Sequence, residues 1–227
     1  MIETEKCWMK DTCYKYKCEK CCPEFCMKLF KLNYLYDSAL MTDFQRKHLN
    51  LRIDGDGTDK EIFEQLKSIE NSIDTFVNEG KNLFLHSRKC GNSKTSWSLR
   101  LIQAYFNKIW ASCDLECKGL FINVPRFLIS LKDNISHESD YIQHIKENVL
   151  SADIVIWDEV ATKALTTYEH ENLLYLINAR IDAKKCNIYT SNLSPDELIE
   201  KLGDRLYSRV VNDSINFEFN GADKRGI

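Results

Sequence analysis

Short apolar runs alternate along this chain with longer segments of helical periodicity. Four runs read as strands, at 82–86 (NLFLH), 119–124 (GLFINV), 153–157 (DIVIW) and 187–190 (NIYT). Continuous apolar strands separated by helices are typical of a parallel sheet that is covered on both faces. We therefore predict an α/β fold. The functional residues should follow the carboxyl ends of the strands, where ligands bind in such sheets.

The remaining elements follow from the same patterns. Apolar residues recur at helical spacing in 27–50, 60–78, 95–111, 126–150 and 168–182. Ser194-Pro195-Asp196-Glu197 has the form of a capping box with proline at the first helical position, and it predicts a helix that runs to Leu202. Residues 215–219 alternate as an edge strand does.

Composition excludes several classes of protein. The chain has 227 residues, of which 44% are hydrophobic, so it can build a sizeable core. It has no apolar run near the ~20 residues of a membrane helix, and its first residues do not resemble a signal peptide. We expect a cytoplasmic protein with no membrane partner. A formal net charge of −3 argues against binding to duplex DNA by overall charge.

The most turn-like stretch, 54–59 (DGDGTD), predicts a domain boundary. We expect a Cys-rich head in residues 1–50, a linker in 51–60 and a larger domain in 61–227.

A candidate phosphate-binding loop follows the strand at 82–86. Lys94 and Thr95 match the last two positions of G-x-x-x-x-G-K-[ST], in which backbone amides and lysine hold phosphates and the hydroxyl binds Mg²⁺. Arg88 and Ser93 replace the two glycines of the pattern. A polar loop that contains Lys-Thr by chance is the alternative. The candidate nucleotide-binding residues here are Gly91, Asn92, Ser93, Lys94, Thr95 and Ser96.

Two acids end the strand at 153–157. Asp158 is placed to join Thr95 in holding Mg²⁺, and Glu159 to polarise an attacking water. Two solvated acids at a strand end are the alternative. The order of the two motifs makes the pair more specific than either one alone.

Polar residues after the last predicted buried strand complete the candidate site. Asn192 can orient the attacking water, although capping of the next helix is the alternative. Arg209 can reach the γ-phosphate on a neighbouring subunit, as arginine fingers do, and a solvated helix face is the alternative.

Six cysteines lie in the first 26 residues, which in a protein without a signal peptide indicates a metal site. Four thiolates are enough for Zn²⁺, and an Fe–S cluster also takes four. Spacing alone leaves the choice of ligands open among Cys7, Cys13, Cys18, Cys21, Cys22 and Cys26.

The order of these features resembles AAA+ ATPases, and more narrowly the helicase loaders of the DnaC/DnaI type with a Cys-rich head. The resemblance implies a three-layer P-loop sandwich without a separate helical lid. It implies ATP and Mg²⁺ as ligands, and Lys94, Glu159, Asn192 and Arg209 as catalytic residues. It also makes Arg225 a nucleotide-binding sensor arginine and favours Cys7, Cys13, Cys22 and Cys26 as zinc ligands, with Cys18 and Cys21 as alternates.

The resemblance further implies a function in DNA replication. An ATP-bound homo-oligomer would load the hexameric replicative helicase onto single-stranded DNA, with weak ATPase activity and ATP as an assembly switch. The alternatives are a non-catalytic adaptor with a weakened nucleotide site and a transposition ATPase of the IstB type; a DnaA-like initiator is less favoured still. Candidate helicase contacts are Tyr34, Leu35, Tyr36 and Phe44, with packing in the core as the alternative. Candidate DNA contacts are Arg126, Lys132, Lys146 and Lys163, for each of which a solvated helix face is the more favoured alternative.

Overall fold

The computed structural model describes residues 26–47, 49, 51, 53, 57–133 and 139–223. Its centre is one five-stranded sheet in the order β2-β3-β4-β1-β5, and every pair of neighbouring strands is parallel. This confirms the predicted parallel α/β fold. The strands are β1 (Asn82–His86), β2 (Gly119–Asn123), β3 (Ile154–Asp158), β4 (Cys186–Ser191) and β5 (Ile215–Glu218).

The helices connect these strands and cover both faces of the sheet. Their bounds are α1 (Met27–Ser38), α2 (Asp43–Arg46), α3 (Lys60–Asn71), α4 (Ile73–Asn78), α5 (Lys94–Ile109), α6 (Val124–Asp133), α7 (Asp140–Asn148), α8 (Thr167–Asp182) and α9 (Pro195–Tyr207). The predicted helical segments at 27–50 and 60–78 are each divided in two. Leu40 takes a left-handed conformation after α1, with φ of 61°, and Thr42 begins α2 with a capping box.

Two hydrophobic clusters lie on the two faces of the sheet. One includes Leu83 and Leu85 of β1 with the inner side of α5, and the other includes Phe84 of β1 with residues of α6 to α9. Alternate residues of one strand point to opposite faces, which explains why β1 contributes to both clusters. This is the expected arrangement of a sheet between two helical layers.

Helix α1 packs on this sheet and not away from it. Leu32, Leu35 and Tyr36 are buried in the same cluster as α5, and the N–H of Phe121 in β2 donates to the carbonyl of Ala39 at 2.9 Å. Leu35 and Tyr36 are therefore core residues and are not available as helicase contacts, whereas the side chain of Phe44 is 73% exposed. The division into 1–50, 51–60 and 61–227 stays a prediction.

Helix α9 begins as the sequence predicts. The N–H and hydroxyl of Ser194 both donate to Glu197 Oε2 at 2.8 Å, and Pro195 is the first helical residue. The helix bends at Gly203, where φ is 70°, and continues into a π-helical turn at Ser208–Asn212. In the part of the chain that the structure describes, β5 is followed only by residues 219–223, which contain no helix.

A buried arginine joins three segments at the amino edge of the sheet. The Arg180 guanidinium is fully buried and donates to the carbonyls of Val149, Ala152 and Cys186 and to Asn187 Oδ1. Burial lowers the pKa of Arg180 to about 10, so the group stays charged at neutral pH. Backbone carbonyls compensate the charge of Arg180, and its hydrogen bonds hold α7, α8 and β4 together.

Among the described residues, no helix has both the length and the apolar character needed to cross a membrane.

We expect Arg180→Met to destabilise the fold by about 3–5 kcal/mol, because it leaves buried acceptors without a donor. Urea denaturation followed by circular dichroism measures this loss. Arg205→Met is the matched control, since Arg205 is exposed on α9, and it should change stability by no more than about 0.5 kcal/mol. Equal losses in the two variants would contradict the role given to Arg180.

Candidate functional site

The candidate site is a cleft at the carboxyl edge of β1, β3 and β4. Its cavity measures about 240 Å³. This volume is below the ~300 Å³ at which typical small-molecule pockets begin, so it suits the phosphate part of a nucleotide rather than the whole ligand. The lining residues are Cys90, Gly91, Asn92, Ser93, Lys94, Thr95, Ser96, Glu159, Thr190, Ser191 and Asn192.

The phosphate loop between β1 and α5 makes two left-handed turns. Gly91 has φ of 74°, which glycine adopts without strain, and Ser93 has φ of 77°, which a residue with a Cβ rarely adopts. The substitution at Ser93 therefore affects the backbone itself as well as the space beside the phosphates. Arg88, which stands at the other replaced glycine, is not among the residues with positive φ in the described chain.

The Arg88 side chain points away from the cavity. Its Nη2 donates to Ser194 Oγ at 3.3 Å, and its Nε lies 3.7 Å from Glu197 Oε2, so it contacts the start of α9. The side chain is 68% exposed and does not line the cavity. This replacement thus leaves the entrance to the site open.

Lys94 is buried at the amino end of α5 and is held by its own loop. Its Nζ donates to the carbonyl of Lys89 and to Asn92 Oδ1, both at 2.9 Å. The ammonium group is thereby placed inside the loop, where a Walker A lysine is needed.

Asp158 joins the phosphate loop to the neighbouring strands. Its Oδ1 accepts hydrogen bonds from Thr95 Oγ1 and Thr190 Oγ1, each at 2.8 Å. Burial raises the pKa of Asp158 above its usual value, the hydrogen bonds from Thr190 and Thr95 lower it, and the charge of Glu159 raises it. A hydroxyl and a carboxylate oxygen in direct contact are the ligands that P-loop proteins use for Mg²⁺.

Glu159 leaves β3 in a strained conformation. Its φ is 61°, its N–H donates to Thr190 Oγ1 at 2.9 Å, and its Oε2 accepts from Asn123 Nδ2 at 3.1 Å. Asn192 lines the same cavity. The structure therefore brings Lys94, Thr95, Asp158, Glu159 and Asn192 together around one cleft at the carboxyl ends of the strands.

Two residues that contact the acids of this site were missed in the sequence. Asn123 ends β2 next to β3, and the strand-end rule applied to GLFIN would have found it. Thr190 looks like an ordinary strand residue, and its contacts with Asp158 and Glu159 become visible only once β4 is known to pair with β3.

Arg209 lies away from this cleft. Its Nε donates to Asn178 Oδ1 at 2.8 Å, and its Nη1 lies 3.0 Å from Asp213 Oδ2. Asp213 precedes β5 and accepts from Asn82, the first residue of β1, so Arg209 is near the amino edge of the sheet. It cannot reach a phosphate in the cleft of its own chain.

Several predicted site residues lie outside the described residues. They are Arg225 and five of the cysteines, Cys7, Cys13, Cys18, Cys21 and Cys22. Cys26 is described, and its Sγ accepts the N–H of Leu29 at 3.4 Å at the start of α1. Within the described ranges, no cluster of three or more His, Cys, Asp or Glu side chains could hold a metal ion.

The candidate DNA contacts differ in their charge balance. Lys132 and Lys163 both pair with the buried Glu169, at 3.1 and 2.9 Å. Burial alone would raise the pKa of Glu169, but hydrogen bonds from Thr166 and the two lysines outweigh it and lower the pKa to about 2. Arg126 is exposed and stacks on Tyr141 at 4.4 Å from the ring centre. Lys146 is exposed on α7.

Comparison with known protein families identifies the family to which the chain belongs. The sequence matches the model of the bacterial DnaA ATPase domain over residues 64–215, which is more than half of the chain. The chain belongs to this family. The match makes the domain a DnaA-type AAA+ ATPase domain and covers the phosphate loop, both acids, Asn192 and Arg209.

A curated relative of this DnaA-family chain is the chromosomal replication initiator protein DnaA of Magnetococcus marinus. It is 26% identical over 174 residues, which cover 68% of this chain and 37% of the relative. The chain thus spans little more than a third of the relative that it matches.

Solved structures share the fold. DnaI aligns with a TM-score of 0.58 at 16% identity over 82% of this chain and 94% of its own. The DnaC helicase loader aligns with a TM-score of 0.53 at 20% identity, over 66% and 86%. Replication initiator DnaA bound to AMPPCP and single-stranded DNA aligns with a TM-score of 0.56 at 18% identity, over 73% and 47%. The AAA+ resemblance read from the motifs is confirmed.

We expect Asp158→Asn to raise the melting temperature at neutral pH in the absence of Mg²⁺. Folding raises the pKa of Asp158, so its ionised form costs stability above the folded-state pKa, and this cost shrinks as the pH falls below that pKa and is gone below the unfolded-state pKa. The asparagine keeps an acceptor for the two hydroxyls. The gain over wild type should therefore shrink in acid, as measured by thermal melts across a pH series.

Asp182→Asn is the control for this pH series, because Asp182 is an exposed residue at the end of α8. Its melting temperature should follow the wild type at every pH. A loss of stability in Asp158→Asn at neutral pH would refute the account of Asp158.

Proposed function

We propose that this protein binds ATP as an AAA+ replication protein and loads the replicative helicase onto single-stranded DNA, with ATP as the switch for assembly. The observation that carries the proposal is the convergence of Lys94, Thr95, Asp158, Glu159 and Asn192 on one cleft. The fold is shared with the DnaC helicase loader and with DnaA alike, so it is the Cys-rich first 26 residues that favour a loader over other replication ATPases.

The residues of the cleft fit a nucleotide with Mg²⁺. Left-handed turns at Gly91 and Ser93 lead into the amino end of α5, where backbone N–H groups and the helix dipole attract phosphate. Lys94 would bind the β- and γ-phosphates, and Thr95 with Asp158 would hold Mg²⁺. When bound, Mg²⁺ neutralises charge that develops on the phosphates.

Hydrolysis, in this proposal, depends on four further residues. Glu159 would take up a proton from the attacking water, and Asn192 would orient that water. Asn123 holds the Glu159 carboxylate, so it would determine when this group faces the water. Arg209 would act on the nucleotide of a neighbouring copy, because it lies at the far edge of its own sheet. The weak ATPase activity therefore requires an oligomer.

The head in residues 1–50 would bind the helicase through the exposed Phe44 and through Tyr34, which is half-buried and donates its hydroxyl to the carbonyl of Leu115. We further propose that Cys7, Cys13, Cys22 and Cys26 hold Zn²⁺, with Cys18 and Cys21 as alternates and an Fe–S cluster as the other assignment. The spacing of the thiols supports this part of the proposal. Elemental analysis of the purified chain decides between the two metals.

A specific observation favours the adaptor as the second candidate. Ser93 is held at φ of 77°, and Lys94 donates to its own loop, so both features can weaken nucleotide binding. An adaptor would keep the fold and its partners while ATP played little part.

Titration of Mg·ATP by calorimetry separates the two candidates. As a loader, the wild type binds ATP, and Lys94→Ala weakens binding by at least about tenfold through loss of a charged contact. Lys108→Ala, an exposed change in the last turn of the same helix, should bind like the wild type. As an adaptor, the wild type binds poorly, and Ser93→Gly restores affinity because glycine adopts this φ freely. Binding in Lys94→Ala as tight as in wild type would refute the phosphate-loop assignment.

We expect Arg126→Ala to weaken binding to a short single-stranded oligonucleotide. Arg126 is an exposed cation that has no carboxylate partner within 4 Å among the described residues, whereas Lys132 shares Glu169 with Lys163. Fluorescence anisotropy at several salt concentrations should show a salt slope reduced by about 0.7, the contribution of one phosphate contact to a single strand. Lys132→Ala should change the slope less. The same slope in Arg126→Ala and wild type would exclude a phosphate contact at this position.

A further inference from the structure

A short segment after β5 runs beside the phosphate loop. We name residues Phe219, Asn220 and Gly221 the strap. The N–H of Phe219 donates to the carbonyl of His86 at 2.8 Å, which extends the pairing of β5 with β1 to the point where the loop begins. Phe219 is buried in the hydrophobic cluster that includes α5, so the strap is part of the packed body.

The strap binds the phosphate loop through two side chains. Asn92 Nδ2 donates to the carbonyl of Phe219 at 3.2 Å, and Lys89 Nζ donates to the carbonyl of Asn220 at 2.9 Å. Asn92 is 1% exposed, its Nδ2 also donates to Ser87 Oγ, and its Oδ1 accepts from Lys94 Nζ. The position of the strap therefore determines where the Asn92 amide and, through it, the Lys94 ammonium lie.

Asp59 holds the other side of the strap. Its Oδ1 accepts the N–H of Asn220 at 2.9 Å, and its Oδ2 accepts the N–H of Gly221 at 2.8 Å. Both carboxylate oxygens thus make charge-assisted hydrogen bonds, which are stronger than bonds between neutral groups. One side chain fixes two successive backbone amides.

The contact of Asp59 with the strap replaces the cap that its side chain would otherwise make to α3. Asp59 immediately precedes α3, where an aspartate usually caps the first turn of the helix, but its side chain makes no capping bond. Such a cap contributes about 1 kcal/mol. The carboxylate instead reaches residues 161 and 162 positions later in the chain.

We propose that Asp59 is a positioning residue for nucleotide binding, which acts through the strap on Asn92 and Lys94. This inference rests on the proposed ATP-binding function and extends it to regulation. Asp59 ends the turn-rich stretch at 54–59 that connects the N-terminal part of the chain to α3. A partner that displaces Asp59 would therefore change the affinity for nucleotide without touching the cleft.

The test compares Asp59→Asn with the wild type in the full-length chain. Asparagine has the same shape but presents an N–H₂ group to one of the two strap amides, so one hydrogen bond is replaced by a contact between donors. We expect Mg·ATP to bind about tenfold more weakly in calorimetry, because a small displacement of a positioning group is enough for such a loss. Asp182→Asn is the matched control and should bind like the wild type.

A double-mutant cycle with Asn92→Ala separates positioning from a general loss of stability. If Asp59 acts through the strap and Asn92, then Asp59→Asn costs less affinity in Asn92→Ala than in wild type, because one of the two contacts between strap and loop is already gone. If the two substitutions act independently, their losses in binding free energy should add. Hydrogen exchange of the amides in residues 87–93, measured without nucleotide, should be faster in Asp59→Asn even if Asn92→Ala fails to fold.

The outcomes distinguish this inference from the function on which it rests. Weaker binding in Asp59→Asn, a non-additive cycle and faster exchange in the loop support it. Equal binding in Asp59→Asn and wild type overturns it and leaves ATP binding intact. Wild type that binds no ATP overturns the proposed function and this inference together, while unchanged exchange in Asp59→Asn overturns the link through the strap alone.

Discussion

The carboxylate of Asp158 holds the candidate site together. In the order β2-β3-β4-β1-β5, strand β4 separates the phosphate loop after β1 from the acids after β3. The Thr95 and Thr190 hydroxyls bridge this gap, because both donate to Asp158 Oδ1 at 2.8 Å. Thr190 also accepts the N–H of Glu159. One buried oxygen thus fixes the loop, the central strand and the second acid, at the cost of a charge that burial disfavours.

A second unfavourable free-energy contribution in the site comes from the backbone of Ser93 in the phosphate loop. A residue with a Cβ in the left-handed region costs about 1–2 kcal/mol relative to glycine. The neighbouring Asn92 offsets this, because its buried amide bonds Ser87, the carbonyl of Phe219 and Lys94 at once. A loop with few glycines has less freedom to lose on ordering. The loop is therefore shaped by contacts with the rest of the domain more than by its own sequence.

The periodicity of apolar residues was enough to predict the parallel sheet and the strand ends near which Lys94, Asp158 and Asn192 lie. It was enough because burial on both faces requires continuous apolar strands, and because parallel strands end at one edge. The same information could not predict that Asp59 reaches Gly221. Apolar patterns determine which face of an element is buried, whereas the pairing of polar side chains depends on strand order and packing.

Arg209 lies far from the cleft of its own chain. This distance determines what the nucleotide would do in the proposed function. Arg209 lies near Asp213 at the amino edge, and β1 spans about 15 Å from there to the phosphate loop. A single copy therefore lacks this positive charge at its γ-phosphate, and a neighbouring copy would have to supply it. Binding energy at the cleft would then be shared between two chains. Nucleotide would stabilise the contact between copies even at a slow rate of hydrolysis, as an assembly switch requires.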